Sequence, residues 1–256
     1  MLRVKRRIVI RAGVSRPPPP AATTNANRLL SALPADDYAR LAPRFDHISL
    51  KLKDVLHRAG EPVSHVYFPG GGFCSVLTVL EDGTMVEVVA TIGREGMVGA
   101  SAVTSGAAAD PSVTMVQAES PICYRITTDA FCAELDRRGA FSMVIARYAH
   151  AYLGFVMQST ACNAVHSVEQ RLARWLLTAQ DRIDRNQFPL TQEFVAMMLG
   201  TTRPTVTVVA RTLQRAGLIT YRHGHLTIVD REGLEQASCE SHRVGARLLD
   251  AGTQQL

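Results

Sequence analysis

The stretch that most limits what this chain can fold into is LTQEFVAMMLGTTRPTVTVVARTLQRAGLI, residues 190–219. Apolar residues recur in it at helical spacing twice, and the two patterns break at Gly200. Thr191 is placed to cap a first short helix with Val195, Met198 and Leu199 inward. Thr202 is placed to cap a second with Val206, Val209 or Ala210, and Leu213 inward. Glycine between them supplies the left-handed residue on which a helix ends. Pro204 fits the second helix, because the N–H groups of a first turn have no intrahelical partners. Two short helices around a glycine turn predict a helix-turn-helix. Downstream, LITYR and LTIVD flank Arg222-His223-Gly224-His225 and read as a two-stranded wing with a basic tip. A winged helix-turn-helix is expected at roughly Leu190 to Val229.

On the second helix, Arg203, Thr207 and Arg211 fall on the outer face at spacings of four, beside Pro204 and Val208. An arginine at the N-terminal end of a helix in the major groove reaches guanine O6 and N7 together. His223 would sit at the wing tip, near a backbone phosphate. Charge points the same way. Residues 28–138 hold ten Lys/Arg against fourteen Asp/Glu, whereas residues 167–231 hold nine Arg against five Asp/Glu, inside a chain of net charge +5. A basic C-terminal half on an acidic middle is the electrostatic footprint expected for double-stranded DNA.

The remainder divides by pattern. Residues 1–27 are basic and then PPPPAATTNAN, a tail expected to be disordered. From His47 to Ile126, short β-branched runs alternate with turns, and the hairpin signal Glu81-Asp82-Gly83-Thr84 joins FCSVLTVL to MVEVVATI. Residues 28–138 are therefore read as an antiparallel β-barrel or jelly roll serving as a sensor. Phe141, Ile145, Tyr148, Tyr152, Phe155, Ser159, Cys162 and His166 then follow at alternating spacings of four and three, a heptad seam on one long helix. Residues 139–166 are read as a dimerisation helix packed partly on the barrel and partly on a second subunit. In VEQRLARWLL, Leu172, Trp175 and Leu176 face inward and Arg171 and Arg174 outward. Residues 167–235 are assigned to the DNA-binding domain and 236–256 to a C-terminal tail. The fold class is α+β.

Five cysteines at wide spacings, with no CxxC pair and no zinc-type spacing, are expected to be reduced packing residues, so no metal is expected. The HxH at His223 and His225 has no third ligand in sequence reach. Met1 to Arg16 lacks the apolar core of a secretory leader, and no run approaches ~20 unbroken apolar residues. The expected location is cytoplasmic, without a membrane partner.

With a β-rich sensor, a long helix and TQEFVAMMLGTTRPTVTVVARTLQRAGLI, the chain resembles the cyclic-AMP receptor protein and fumarate-nitrate regulator family over residues 28–231. The resemblance implies a dimeric transcription regulator, not an enzyme, acting on a near-palindromic operator with RNA polymerase as a further partner. It implies phosphate contacts at Thr191, Gln192 and Thr202 and a guanine-reading arginine at Arg203; Thr205, in the first turn of the second helix, is counted with the DNA-contacting residues. Pro204 and Val208 stand where well-known relatives read bases with Glu and Arg, which implies a different operator. In the sensor, Ala100 and Pro111 replace the Glu and Arg that hold a cyclic nucleotide, and the N-terminal cysteines of iron–sulfur relatives are missing. Cyclic AMP is therefore not expected as a ligand, no cofactor is assigned, and the effector stays open. Two other classes compete: a cupin-like metal-dependent enzyme, for which His47, His57 and His65 lack the close ligand spacing, and a scaffold that has lost DNA binding.

Overall fold

The structure, a computed structural model, describes residues 26–83, 85–222 and 224–253. Residues 1–25 of the predicted tail lie outside them. The expected disorder of residues 1–27 is corrected at its end: Asn27 is fully buried, its Nδ2 donates to Pro69 O and Gly96 O, and its Oδ1 accepts from Leu29 N and Leu30 N. It caps α1 (Arg28–Ser31), which α2 (Ala35–Leu41) follows.

Seven strands come next: β1 (Asp46–Leu50), β2 (Val55–His57), β3 (His65–Pro69), β4 (Phe73–Val79), β5 (Met85–Ile92), β6 (Ser112–Ala118) and β7 (Ser120–Thr127). A short α3 (Ala102–Ser105) interrupts them. They form two antiparallel sheets, β1-β7-β3 and β2-β6-β4-β5, rather than a closed barrel. The expected Asp-Gly turn joins β4 to β5, with Gly83 at φ +81° donating to Leu80 O.

Alternation along the strands gives each sheet two apolar faces. Tyr67 and Cys123 of one sheet meet Cys74, Ile92 and Val116 of the other between the sheets. Val66, Phe68, Tyr124 and Ile126 point the opposite way, under α1, α4 (Thr128–Asp136) and α5 (Ala140–Val165). Phe73 and Leu77 cover the outer face of the second sheet and pack against the C-terminal part of the chain.

The heptad seam is where the structure departs most from expectation. Phe141, Ile145, Tyr148, Phe155, Ser159 and Cys162 are all buried within the single chain. The first three enter the sensor core, whereas the far end is covered by α10 (Ser241–Gly252), a helix inside the expected tail. Glycines explain how closely α10 lies: a Cβ at Gly245 would stand 2.7 Å from Phe155 Cε2, and one at Gly252 would stand 2.6 Å from Ala151 Cβ. The aromatic stripe takes this internal partner because α10 offers small residues at the contact. A second stripe stays outside: Met143, Ala146, His150, Leu153, Met157, Thr160 and Ala164 are exposed, again at alternating spacings of three and four. α5 has the length and hydropathy of a membrane span, but its inner face belongs to this core.

Candidate nucleic-acid interface

After α5, Ser167 starts α6 (Val168–Ile183) with a reciprocal cap: its hydroxyl accepts from Gln170 N while Gln170 Oε1 accepts from Ser167 N. β8 (Gln187–Pro189) leads into α7 (Gln192–Leu199), capped by Thr191, whose Oγ1 accepts from Phe194 N at 3.2 Å. Gly200 then turns left-handed at φ 58°, ψ 43°. Thr202 caps α8 (Arg203–Arg215), with Pro204 in the first turn. The buried faces are the expected ones, with Ala210 buried and Val209 half-buried against the same core. Arg171 does not point outward as expected, since its Nη1 donates to Leu199 O at 3.1 Å and satisfies a carbonyl left open at the end of α7.

The wing is larger than the sequence indicated. β9 (Ile219–Arg222) and β10 (His225–Ile228) pair from His225↔Arg222 to Ile228↔Ile219 as expected, but β8 lies on the other edge of β10 and makes three strands. A three-residue strand ahead of α7 carries too short a pattern to be read alone. α9 (Arg231–Ala237) closes the unit, with Asp230 capping it.

The expected contact residues gather on one side. Arg203, Pro204, Val208 and Arg211 are exposed on α8, Val208 to 63%. Thr207 Oγ1 donates to Gln192 Oε1 at 2.7 Å and ties the two helices at this surface. Thr202 and Thr205 share a hydrogen bond between hydroxyls at 2.9 Å. Arg222, at the end of β9, is exposed. His223 lies outside the described residues.

Against families of known proteins, residues 170–237 match the Crp-like helix-turn-helix domain. Residues 170–237 are a Crp-like helix-turn-helix domain, and the chain is a DNA-binding transcription regulator. The Crp-like domain sits on a body whose fold agrees with solved regulators. A CRP-family transcriptional regulator from Thermus thermophilus is 21% identical with a TM-score of 0.61, over 75% of this chain and 96% of that one. The c-di-GMP responsive global regulator CLP of Xanthomonas campestris is 16% identical with a TM-score of 0.59, over 76% and 99%. FixK2 from Bradyrhizobium japonicum is 16% identical with a TM-score of 0.58, over 76% and 98%. Comparison with curated proteins finds no match.

The Crp-like domain is docked on the N-terminal sheets. Trp175 of α6 meets Phe73 of β4 edge-on, centroids 6.1 Å apart, and Phe194 of α7 at 6.0 Å. A nearly buried ion pair adds a polar tie: Arg182 Nε donates to Glu95 Oε1 at 2.9 Å, and the same oxygen accepts from Gly93 N. A cleft of about 490 Å³ opens where sensor, α6 and α10 meet, lined by Arg28, Arg94, Glu95, Arg182, Arg185 and Arg231 among others.

Of the two positions compared above with a nucleotide clamp, Ala100 packs against the core beneath α5 and Pro111 is exposed. Between them Asp110 occupies the local donors. Its Oδ2 accepts from Ser101 Oγ at 2.7 Å, and its Oδ1 accepts from Ser112 N and Ser112 Oγ. Burial pushes the Asp110 carboxyl up, but the bonds from Ser112 and Ser101 outweigh it and hold the group below the usual carboxylate range.

Proposed function

We propose that this regulator works as a homodimer which lays α8 of each subunit in the major groove of a near-palindromic operator. The exposed α8 face of Arg203, Pro204, Thr207, Val208 and Arg211 carries the reading. Arg203 lies at the first helical position, where a guanidinium can grip guanine through two hydrogen bonds. Thr191, Gln192, Thr202 and Thr205 surround the helix start and fit phosphate contacts, and Arg222 with His223 would follow the backbone from the wing. Pro204 and Val208 replace two polar readers by apolar ones, which suits contact with thymine methyl groups. The dimer is joined along the outer stripe of α5 from Met143 to Ala164, and its two half-site centres lie about one DNA turn, roughly 34 Å, apart. A DNA-bound role of this kind places the protein in the cytoplasm, with RNA polymerase as a further partner.

The test is a panel of operator variants, each substituted at one base pair, at one fixed salt concentration. Arg203→Ala is expected to cost ~1–3 kcal/mol per half-site and to relax preference at a single position. Gln192→Ala is expected to weaken binding to all variants alike. An even loss across the panel for Arg203→Ala would make Arg203 a backbone contact and refute the reading.

A further inference from the structure

At the end of α5, Cys162 and His166 stand four positions apart, so both side chains leave the helix on one side. The chain returns there 77 residues later. Cys239, between α9 and α10, places its Sγ 3.3 Å from Cys162 Sγ, and one donor atom from each of Cys162, His166 and Cys239 lies within 4.8 Å of the others. Both cysteines are buried, and His166 Nδ1 is buried with no hydrogen-bond partner, while Nε2 stands 3.4 Å from Glu240 Oε2. A buried imidazole nitrogen left without a partner is costly, and packing gives no account of it.

The other buried cysteines behave differently. Cys74 and Cys123 lie in the apolar layer between the sheets, and burial pushes both thiols up, Cys123 to about 12. At Cys239, the hydrogen bond with Cys162, the Ser241 hydroxyl and the Ser241 N–H at the start of α10 overcome burial and bring the thiol down to about 5; the same contact pushes Cys162 up.

We propose that Cys162, His166 and Cys239 form a binding site for a thiophilic divalent transition-metal ion of the zinc class, with Glu240 or a water as fourth ligand. Two thiolates and an imidazole are a donor set for this class and not for magnesium or calcium. Metal–sulfur bonds of about 2.3 Å in a tetrahedron set the sulfurs roughly 3.8 Å apart, a small rotamer adjustment from the spacing here. Binding would release the thiol protons of the pair to solvent and leave both sulfurs as thiolates. The ion would pin the end of α5 to the α9–α10 junction, just behind the Crp-like domain, so occupancy would set how that domain is held against the dimer helix.

The test uses the reduced full chain and Co²⁺ as probe. One cobalt per chain, with thiolate charge-transfer bands and tetrahedral visible bands that Zn²⁺ abolishes, is expected. His166→Gln, a half-buried change that should leave the fold intact by circular dichroism, and Cys239→Ser are each expected to weaken cobalt binding by more than the roughly 10–100-fold that loss of an outer-shell partner costs. Cys132→Ser, on α4, is expected to change nothing. Absence of tetrahedral thiolate bands with the thiols shown to be reduced would overturn the proposal, as would bands that persist in Cys239→Ser. A chain that takes no cobalt but forms a Cys162–Cys239 disulfide with peroxide would equally overturn it, making the pair a redox couple.

Discussion

Single side chains in this protein do their work through what they leave unpaired or keep neutral. His57 is buried, its Nε2–H donates to His65 O at 2.9 Å, and desolvation lowers its pKa despite that bond and the nearby Asp110 carboxylate. A histidine depressed in the folded state is protonated first in the unfolded chain. Its contribution is therefore intact above the unfolded value of about 6.5 and is lost as pH falls from there toward the folded value. The urea midpoint is expected to drop between about pH 7.5 and about pH 5.5, and to drop less in His57→Gln. Equal drops in the two proteins would remove His57 from the cause. At the proposed DNA-facing surface, the Thr207–Gln192 bond couples the two residues, and in Gln192→Ala the Thr207 hydroxyl keeps its bond to Arg203 O at 3.0 Å.

Among the elements, α5 is the one with two jobs, one on each face. Its inner face meets α10 over glycines, and overpacking such a contact costs typically ~1–3 kcal/mol. Gly245→Val is expected to lower unfolding stability by about that amount in urea titrations, because its Cβ would press on the Phe155 ring. A neutral result would show that α10 can lift away freely. The outer face belongs to the proposed dimer. Leu153 and Met157 are 58% and 65% exposed, and a charge between two such stripes would be buried without a partner. Leu153→Glu is expected to give a monomer in sedimentation at micromolar concentration with unchanged circular dichroism, and a dimer that survives it would place the interface elsewhere.

For the whole molecule, docking of the Crp-like domain on β4, through Phe73, Trp175 and Phe194, makes the N-terminal sheets and that domain one packed body. Cyclic AMP is a poor fit because the Asp110 carboxylate already holds the Ser101 and Ser112 donors and would repel a phosphate. Calorimetry is expected to show no cyclic AMP binding at micromolar concentration; such binding would mean that Asp110 gives way. What the sequence by itself determined is local: the Thr191 and Thr202 caps, the Gly200 turn, the Asp82-Gly83 hairpin and the exposed face of α8 follow from residues within a few positions of each other. Tertiary structure alone decided which apolar stripe of α5 faces inward, since periodicity marks a face without naming its partner. It also decided the gathering of Cys162 and His166 with Cys239, because a contact across 77 residues leaves no spacing to read and exists only once α10 has folded back along α5.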